Sequence, residues 1–181
     1  CGEATTEEYI KEESMHGRVG AAMMGIVAEG KKGRIYVSPT EEHISAANCQ
    51  KPDGEYPQQE LPYDPRNIWC VNYGLDTYDK LFTNRQLTAL TTLSALITEA
   101  QEKAEKDAVA AGLKDDHLPL RDGGDGAKAY GEAVGVYLAF AVDKLADINS
   151  TACGWITVNG VIRNTFATMR KQTCSQILLA V

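Results

Sequence analysis

From Thr5 to Gly17 the chain is polar, acids crowd its start, and Thr6 stands where a cap belongs, which predicts a short polar helix. Two apolar runs follow, Ala21 to Ala28 and Arg34 to Ser38, around Glu29-Gly30-Lys31-Lys32-Gly33. Apolar runs on either side of a glycine-flanked turn predict a β-hairpin. Pro39 stops the second run, and Thr40-Glu41-Glu42 places acids where a helix dipole favours them, so a second helix is expected, ending near Cys49. Residues 51–67 hold four of the six prolines and almost no aliphatic side chains, the composition of an extended connector. Apolar positions return at Trp69, Val71, Tyr73 and Leu75.

The second half carries stronger periodicity. Thr83-Asn84-Arg85-Gln86 fits a capping box, in which the Thr83 hydroxyl accepts from the Gln86 N–H and the Gln86 side chain reaches back. Phe82 and Leu87 sit at the positions of a hydrophobic staple. Leu87, Leu90, Leu93, Ile97, Ala100 and Ala104 continue at helical spacing, predicting a helix to about Ala111 with Gly112 as its stop. A polar loop through Asp115, Pro119 and Asp122 leads to Gly126. A second long helix then carries Tyr130, Val134, Tyr137, Leu138, Ala141, Leu145 and Ile148 on one face. A four-spaced small stripe, Ala127, Gly131, Gly135 and Ala139, lies on another and lets a neighbouring helix approach closely. Asn149-Ser150 ends this helix, and Trp155 to Val158 reads as a short strand before an Asn159-Gly160 turn. The fold class is α+β, mainly α: a long antiparallel helical pair with a small β-hairpin and a proline-rich extended connector.

Composition narrows what such a fold does. Hydrophobic residues at 44% and charged residues at 24% describe a globular chain. A net charge of −7 opposes a free-standing nucleic-acid binder, so any DNA contact must be local or supplied by the rest of a larger protein. No run approaches the roughly 20 apolar residues of a membrane span, and no signal peptide is visible, so a cytoplasmic location is expected. The five cysteines, Cys1, Cys49, Cys70, Cys153 and Cys174, form no C-x-x-C pair and are expected to be reduced. The chain opens on Cys1, not Met, and is expected to be an internal piece of a longer polypeptide.

The candidate chemistry is sparse. Asp122-Gly123-Gly124-Asp125-Gly126 has glycines for an anion nest and carboxylates for a cation, but lacks calcium-loop spacing and a phosphate-loop lysine; it is expected to be the turn leading into the second long helix. Glu60-Leu61-Pro62-Tyr63 imitates the acceptor-Pro-Pro-Tyr motif of amino-methyltransferases. Glu is a methylene too long and Leu61 replaces the first proline, so no catalytic role is assigned. His16, His43 and His117 are isolated in polar stretches. Lys31, Lys32 and Arg34 form the densest basic spot, a charged turn expected first to be simply solvated and, as the functional alternative, able to touch a phosphate backbone. Arg85 sits in a helix first turn, against its dipole preference, which points first to a structural salt bridge and second to a phosphate contact, and on the second count it joins them as a candidate DNA contact.

Several stretches together resemble one family. They are Gly17-Arg18-Val19-Gly20, Met23 to Gly30, Gly33 to Thr40, Asp64-Pro65-Arg66-Asn67, and Leu81-Phe82-Thr83-Asn84-Arg85-Gln86-Leu87. Leu120 to Gly124, Ala146 to Ser150 and Ile162 to Phe166 complete the series. In that order they resemble the middle of the large bacterial and archaeal adenine-specific DNA methylases that carry an N-terminal domain of unknown function and are associated with phage defence. The resemblance covers about residues 1–166, and its most specific motif is the Phe-Thr-x-Arg-Gln-Leu run at 82–87. It implies a parent enzyme that binds S-adenosylmethionine through a motif upstream, followed by a zinc-ribbon stretch, with the catalytic Asp-Pro-Pro-Tyr downstream. Cys1 would be the last knuckle of that ribbon, a remnant zinc ligand. No catalytic or cofactor residue of the family maps onto this chain. After Phe166 the resemblance stops.

The expected organisation is therefore helix, hairpin and helix over 1–50, connector over 51–80, helical insert over 81–166, and a divergent, poorly packed tail over 167–181. The expected function is a scaffold or DNA-positioning insert of an adenine-specific DNA methyltransferase, whose partners are DNA and the remaining domains of the same polypeptide. No cofactor is expected in this segment. The alternatives are a non-catalytic protein-interaction module and, more remotely, a hydrolase using Asp122 and Asp125.

Overall fold

A computed structural model describes residues 4–64 and 68–165. Cys1 and the tail from 167 onward, with the expectations attached to them, lie outside the described residues. The chain divides into two compact units, one formed by residues 1–87 with 147–181 and the other by residues 88–146.

In the first unit α1 (Glu7–Met15) starts where Thr6 Oγ1 accepts from the Tyr9 N–H at 3.3 Å. β1 (Ile26–Gly30) and β2 (Gly33–Val37) pair antiparallel, with Ile26 opposite Val37 and Gly30 opposite Gly33, so Lys31-Lys32 forms the turn. α2 (Glu41–Ala47) has a capping box in which the Thr40 hydroxyl and the His43 ring exchange bonds with each other's backbone N–H. Among the described residues, the stretch from 51 onward has no regular helix or strand before a 3-10 turn at Trp69–Tyr73. A second such turn spans Tyr78–Leu81.

The connector also supplies the core. Leu61, the one aliphatic side chain in residues 51–67, is buried with Val71 and Leu81, and Ile68, Leu75 and Phe82 pack against them. A bridge between Glu60 and Thr77 and the Leu61 N–H to Asp76 carbonyl bond at 2.7 Å hold it there. The end of α1 lies over Gly74, whose φ of +76° is natural only to glycine; a Cβ there would stand 3.2 Å from the Ser14 carbonyl. Asp79 is buried beside this core, held by Lys51 at 2.7 Å and by the Thr77 hydroxyl at 2.5 Å.

β3 (Gly154–Ile156) and β4 (Val161–Arg163) form a second antiparallel hairpin around the Asn159-Gly160 turn. It is tied back by a buried hydroxyl–thiol knot. The Thr165 hydroxyl lies 2.7 Å from the Ser150 hydroxyl and 3.3 Å from Cys153 Sγ, and it donates to the Asp147 carbonyl at 2.8 Å.

Most of α3 (Asn84–Ala110) and α4 (Ala127–Ile148) belongs to the second unit. The helices run antiparallel, since Gly131 faces Gln101 and Glu105 while Gly135, a turn further on, faces Gln101. A Cβ at Gly131 would stand 2.9 Å from the Gln101 carbonyl oxygen. The stripe expected to pack does so at Ala127, Gly131 and Gly135, which are buried, while Ala139 is exposed. The large apolar face assigned to α4 behaves differently: Tyr130 and Tyr137 are 52% and 76% exposed. Small residues let the helix backbones approach on one side, and that approach turns the aromatic side outward.

Candidate nucleic-acid interface

The four basic residues singled out by sequence all belong to the first unit, but they do not share one environment. Lys31 and Lys32 are exposed on the β1–β2 turn, free to meet a phosphate. Arg34, on β2, donates from Nη1 to the Gly160 carbonyl and so joins the two hairpins. Strand alternation puts Tyr36 on the same face as Arg34. The Tyr36 ring meets Trp155 edge-on, with centroids 6.3 Å apart and planes at 84°, a favoured aromatic geometry.

Arg85 stands apart at the start of α3. The expected capping box is present in full: the Thr83 N–H donates to Gln86 Oε1 at 2.9 Å, and the Gln86 N–H donates to Thr83 Oγ1 at 3.3 Å. Asn84 donates to the Cys49 carbonyl at 3.2 Å, which fastens this turn to the end of α2. Arg85 is half-buried beside an open cleft of about 460 Å³ that Met23, Ile44 and Asn48 also line. It makes no ion pair among the described residues. The salt bridge that would have accounted structurally for a cation in a first turn is therefore not among those the structure shows.

A second, smaller cavity of about 120 Å³ was not anticipated from the sequence. Ile26 and Tyr36 of the first hairpin, Trp155 and Ile162 of the second, Gln86 and Asn149 contribute to its walls. The available signal was the Arg-x-Tyr alternation on β2, which says that a cation and an aromatic share a face. Nothing in the chain says that Trp155, over a hundred positions on, completes that wall.

The other motifs resolve into structure. In the Asp122–Gly126 loop, the Asp122 and Gly124 N–H groups both donate to the Pro119 carbonyl at 3.0 Å, and the Gly123 N–H donates to the Leu120 carbonyl at 3.0 Å. Those three donors are spent within the loop and are not turned toward a bound anion. A Cβ at Gly124 would collide with the Leu118 carbonyl, which explains glycine there. Asp125 is exposed and 3.9 Å from Lys114, while Asp122 lies 3.7 Å from Arg121. In the Glu60–Tyr63 run, Leu61 is a core residue and Tyr63 is 85% exposed. His16 meets the Glu12 carbonyl, His43 serves the α2 cap, and His117 pairs with Asp115 at 3.2 Å.

Cys49, Cys70 and Cys153 are free thiols, and burial pushes Cys70 upward, against thiolate formation, with backbone N–H groups of Cys70 and Val71 opposing less strongly. Among the described residues, no three His, Cys, Asp or Glu side chains gather as a metal site. No helix among them is long and apolar enough to cross a membrane.

No family model matches the chain, and neither curated proteins nor solved structures yield a match.

Proposed function

We propose that this chain is a non-catalytic segment of a cytoplasmic, S-adenosylmethionine-dependent adenine-specific DNA methyltransferase, and that it positions DNA while cofactor binding and chemistry reside elsewhere in the same polypeptide. The ordered series of motifs supports the family reading. The observation that carries the DNA role is Arg85, a cation with no ion pair among the described residues, on an open cleft and inside the Phe82–Leu87 run that is the most specific motif of the resemblance. Its helix position is electrostatically unfavourable, and no carboxylate in the described structure compensates it. A phosphate would. Lys31 and Lys32 offer further contacts that carry no base information.

The test is fluorescence anisotropy of a labelled duplex with the 181-residue chain across a salt series. Weak, sequence-independent binding that falls steeply with salt and weakens in Arg85→Ala is the expected result; binding untouched by salt and by that substitution would count against it.

One observation favours the alternative, a protein-interaction module. Tyr130, Tyr137 and Phe140 are 52%, 76% and 63% exposed, an unusual aromatic display for a helix in water. Concentration-dependent sedimentation of the chain with no DNA affinity would favour that reading.

A further inference from the structure

We propose that the outer side of α4 is a self-association seam, on which a second copy of this chain packs antiparallel about a twofold axis near Gly135. The inference goes beyond the DNA-positioning reading and does not rest on it. Every candidate DNA contact belongs to the first unit, and the seam belongs to the second.

Spacing comes first. Tyr130, Ala133, Tyr137, Phe140 and Lys144 recur at alternating steps of three and four along α4, as do the positions that meet a partner helix in a coiled coil. That spacing sets them on one side of the helix, opposite the Gly131 and Gly135 side that α3 occupies. An outer side of a helix in water is ordinarily polar. Here Tyr130, Val136, Tyr137 and Phe140 are all exposed on it. They leave on the order of 500 Å² of surface uncovered on each copy, taking about 200 Å² for a whole aromatic side chain. A pair of copies would bury about 1,000 Å², the lower limit for a specific contact, which implies dissociation at micromolar concentration.

Self-complementarity selects the occupant. With two copies of α4 antiparallel about Gly135, Ala133 of each meets Tyr137 of the other, and Tyr130 of each meets Phe140 of the other. The central small side chains receive the large ones, and aromatic pairs close the contact at both ends. Charge agrees with this arrangement. Residues 133–142 carry no acidic or basic side chain, so two chains of net charge −7 can meet there without setting carboxylates against each other. A parallel pair is worse on both counts, since Lys144 would face Lys144 and Tyr137 would face Tyr137.

The experiment is sedimentation velocity of the full chain, without DNA, from nanomolar to high micromolar concentration. The native chain should pass from monomer to dimer and no further, because a twofold contact closes on itself. Tyr137→Ala empties the central contact and Ala133→Tyr overfills it; each should weaken the dimer by about tenfold or more. Mixed in equal amounts, the two variants should regain the native dimer, because every large side chain again meets a small one. Ile35→Asp, an exposed apolar position on β2 in the first unit, should leave dimerisation unchanged. Helical circular dichroism of the dilute, monomeric variants separates a folding defect from a contact defect. If Ala133→Tyr loses its helices, the contrast between Tyr137→Ala and Ile35→Asp decides. A chain that stays monomeric throughout overturns the proposal and leaves the face to a different protein partner. An open series of larger species also overturns it, as does a dimer that Tyr137→Ala leaves intact or Ile35→Asp dissolves. Failure of two folded variants to dimerise on mixing overturns it as well. None of these results bears on DNA binding by the first unit, which the anisotropy experiment reads separately.

Discussion

At the scale of single residues, Thr83 and Asp79 show how one side chain fixes a local geometry. Thr83 closes α3 from both directions through Gln86, and removing its hydroxyl leaves the Gln86 N–H without its intramolecular partner. Thr83→Ala is expected to cost about 1 kcal/mol, measured as a shift in the urea midpoint at unchanged slope. An unshifted midpoint would show that the cap is replaceable by water.

Burial works to raise the Asp79 carboxyl, yet hydrogen bonds from Lys51 and Thr77 outweigh it and hold the group below the usual carboxylate range. A depressed folded pKa means that the unfolded state binds protons first as pH falls. Stability from Asp79 is therefore fully present above its unfolded value, near 4, and is lost as pH drops through the folded value. Lys51 is 45% exposed, which screens the pair, so Asp79→Asn should cost only about 1.5 kcal/mol at neutral pH. Thermal melts of both proteins should converge as pH falls below the depressed folded value; a constant gap would show that packing, not charge, accounts for the effect.

At the scale of elements, the α3–α4 pair depends on what is missing from Gly131. A side chain there would meet the Gln101 carbonyl, a backbone atom that moves only if α3 moves. Gly131→Val should therefore destabilise the second unit by roughly 1–3 kcal/mol, the usual cost of overpacking. The effect should appear as earlier loss of helical circular dichroism on heating. Tyr137→Ser, on the opposite and exposed side, should leave that transition in place. If the two substitutions behaved alike, the small-residue seam would not be the contact that holds the pair.

At the scale of the whole molecule, a net charge of −7 sets the character of any DNA binding. Four local cations against an acidic background give affinity dominated by counterion release. The slope of log affinity against log salt should lie between about −3 and −4, and Arg85→Ala should reduce it by about 1. The chain is also expected to bind no S-adenosylmethionine. The Asp122–Gly126 loop spends the amides of Asp122, Gly123 and Gly124 internally and carries carboxylates beside which the cofactor carboxylate would be repelled. A calorimetric titration checks this, and clear binding abolished by Asp122→Ala would overturn the reading of that loop.

Much of the architecture was determined by sequence alone, because its signals are local. The Thr83–Gln86 box, the Lys31-Lys32 turn, the small stripe on α4 and the proline-rich stretch each act over a few residues, where spacing and side-chain type decide the outcome. Tertiary structure decided everything that depends on which distant segments meet. Leu61 looks like a stray aliphatic in a connector, and becomes core because Val71 and Leu81 fold over it. Tyr130 and Tyr137 share a helical face with the apolar Val134, Leu138 and Leu145, yet stay outside because glycines on the other side bring α3 closer. Arg34 and Arg85 read alike as free cations, but one is tied to Gly160 and the other is not. Periodicity records which face of an element is apolar; only packing decides which face wins a neighbour, and that choice placed Trp155 against Tyr36.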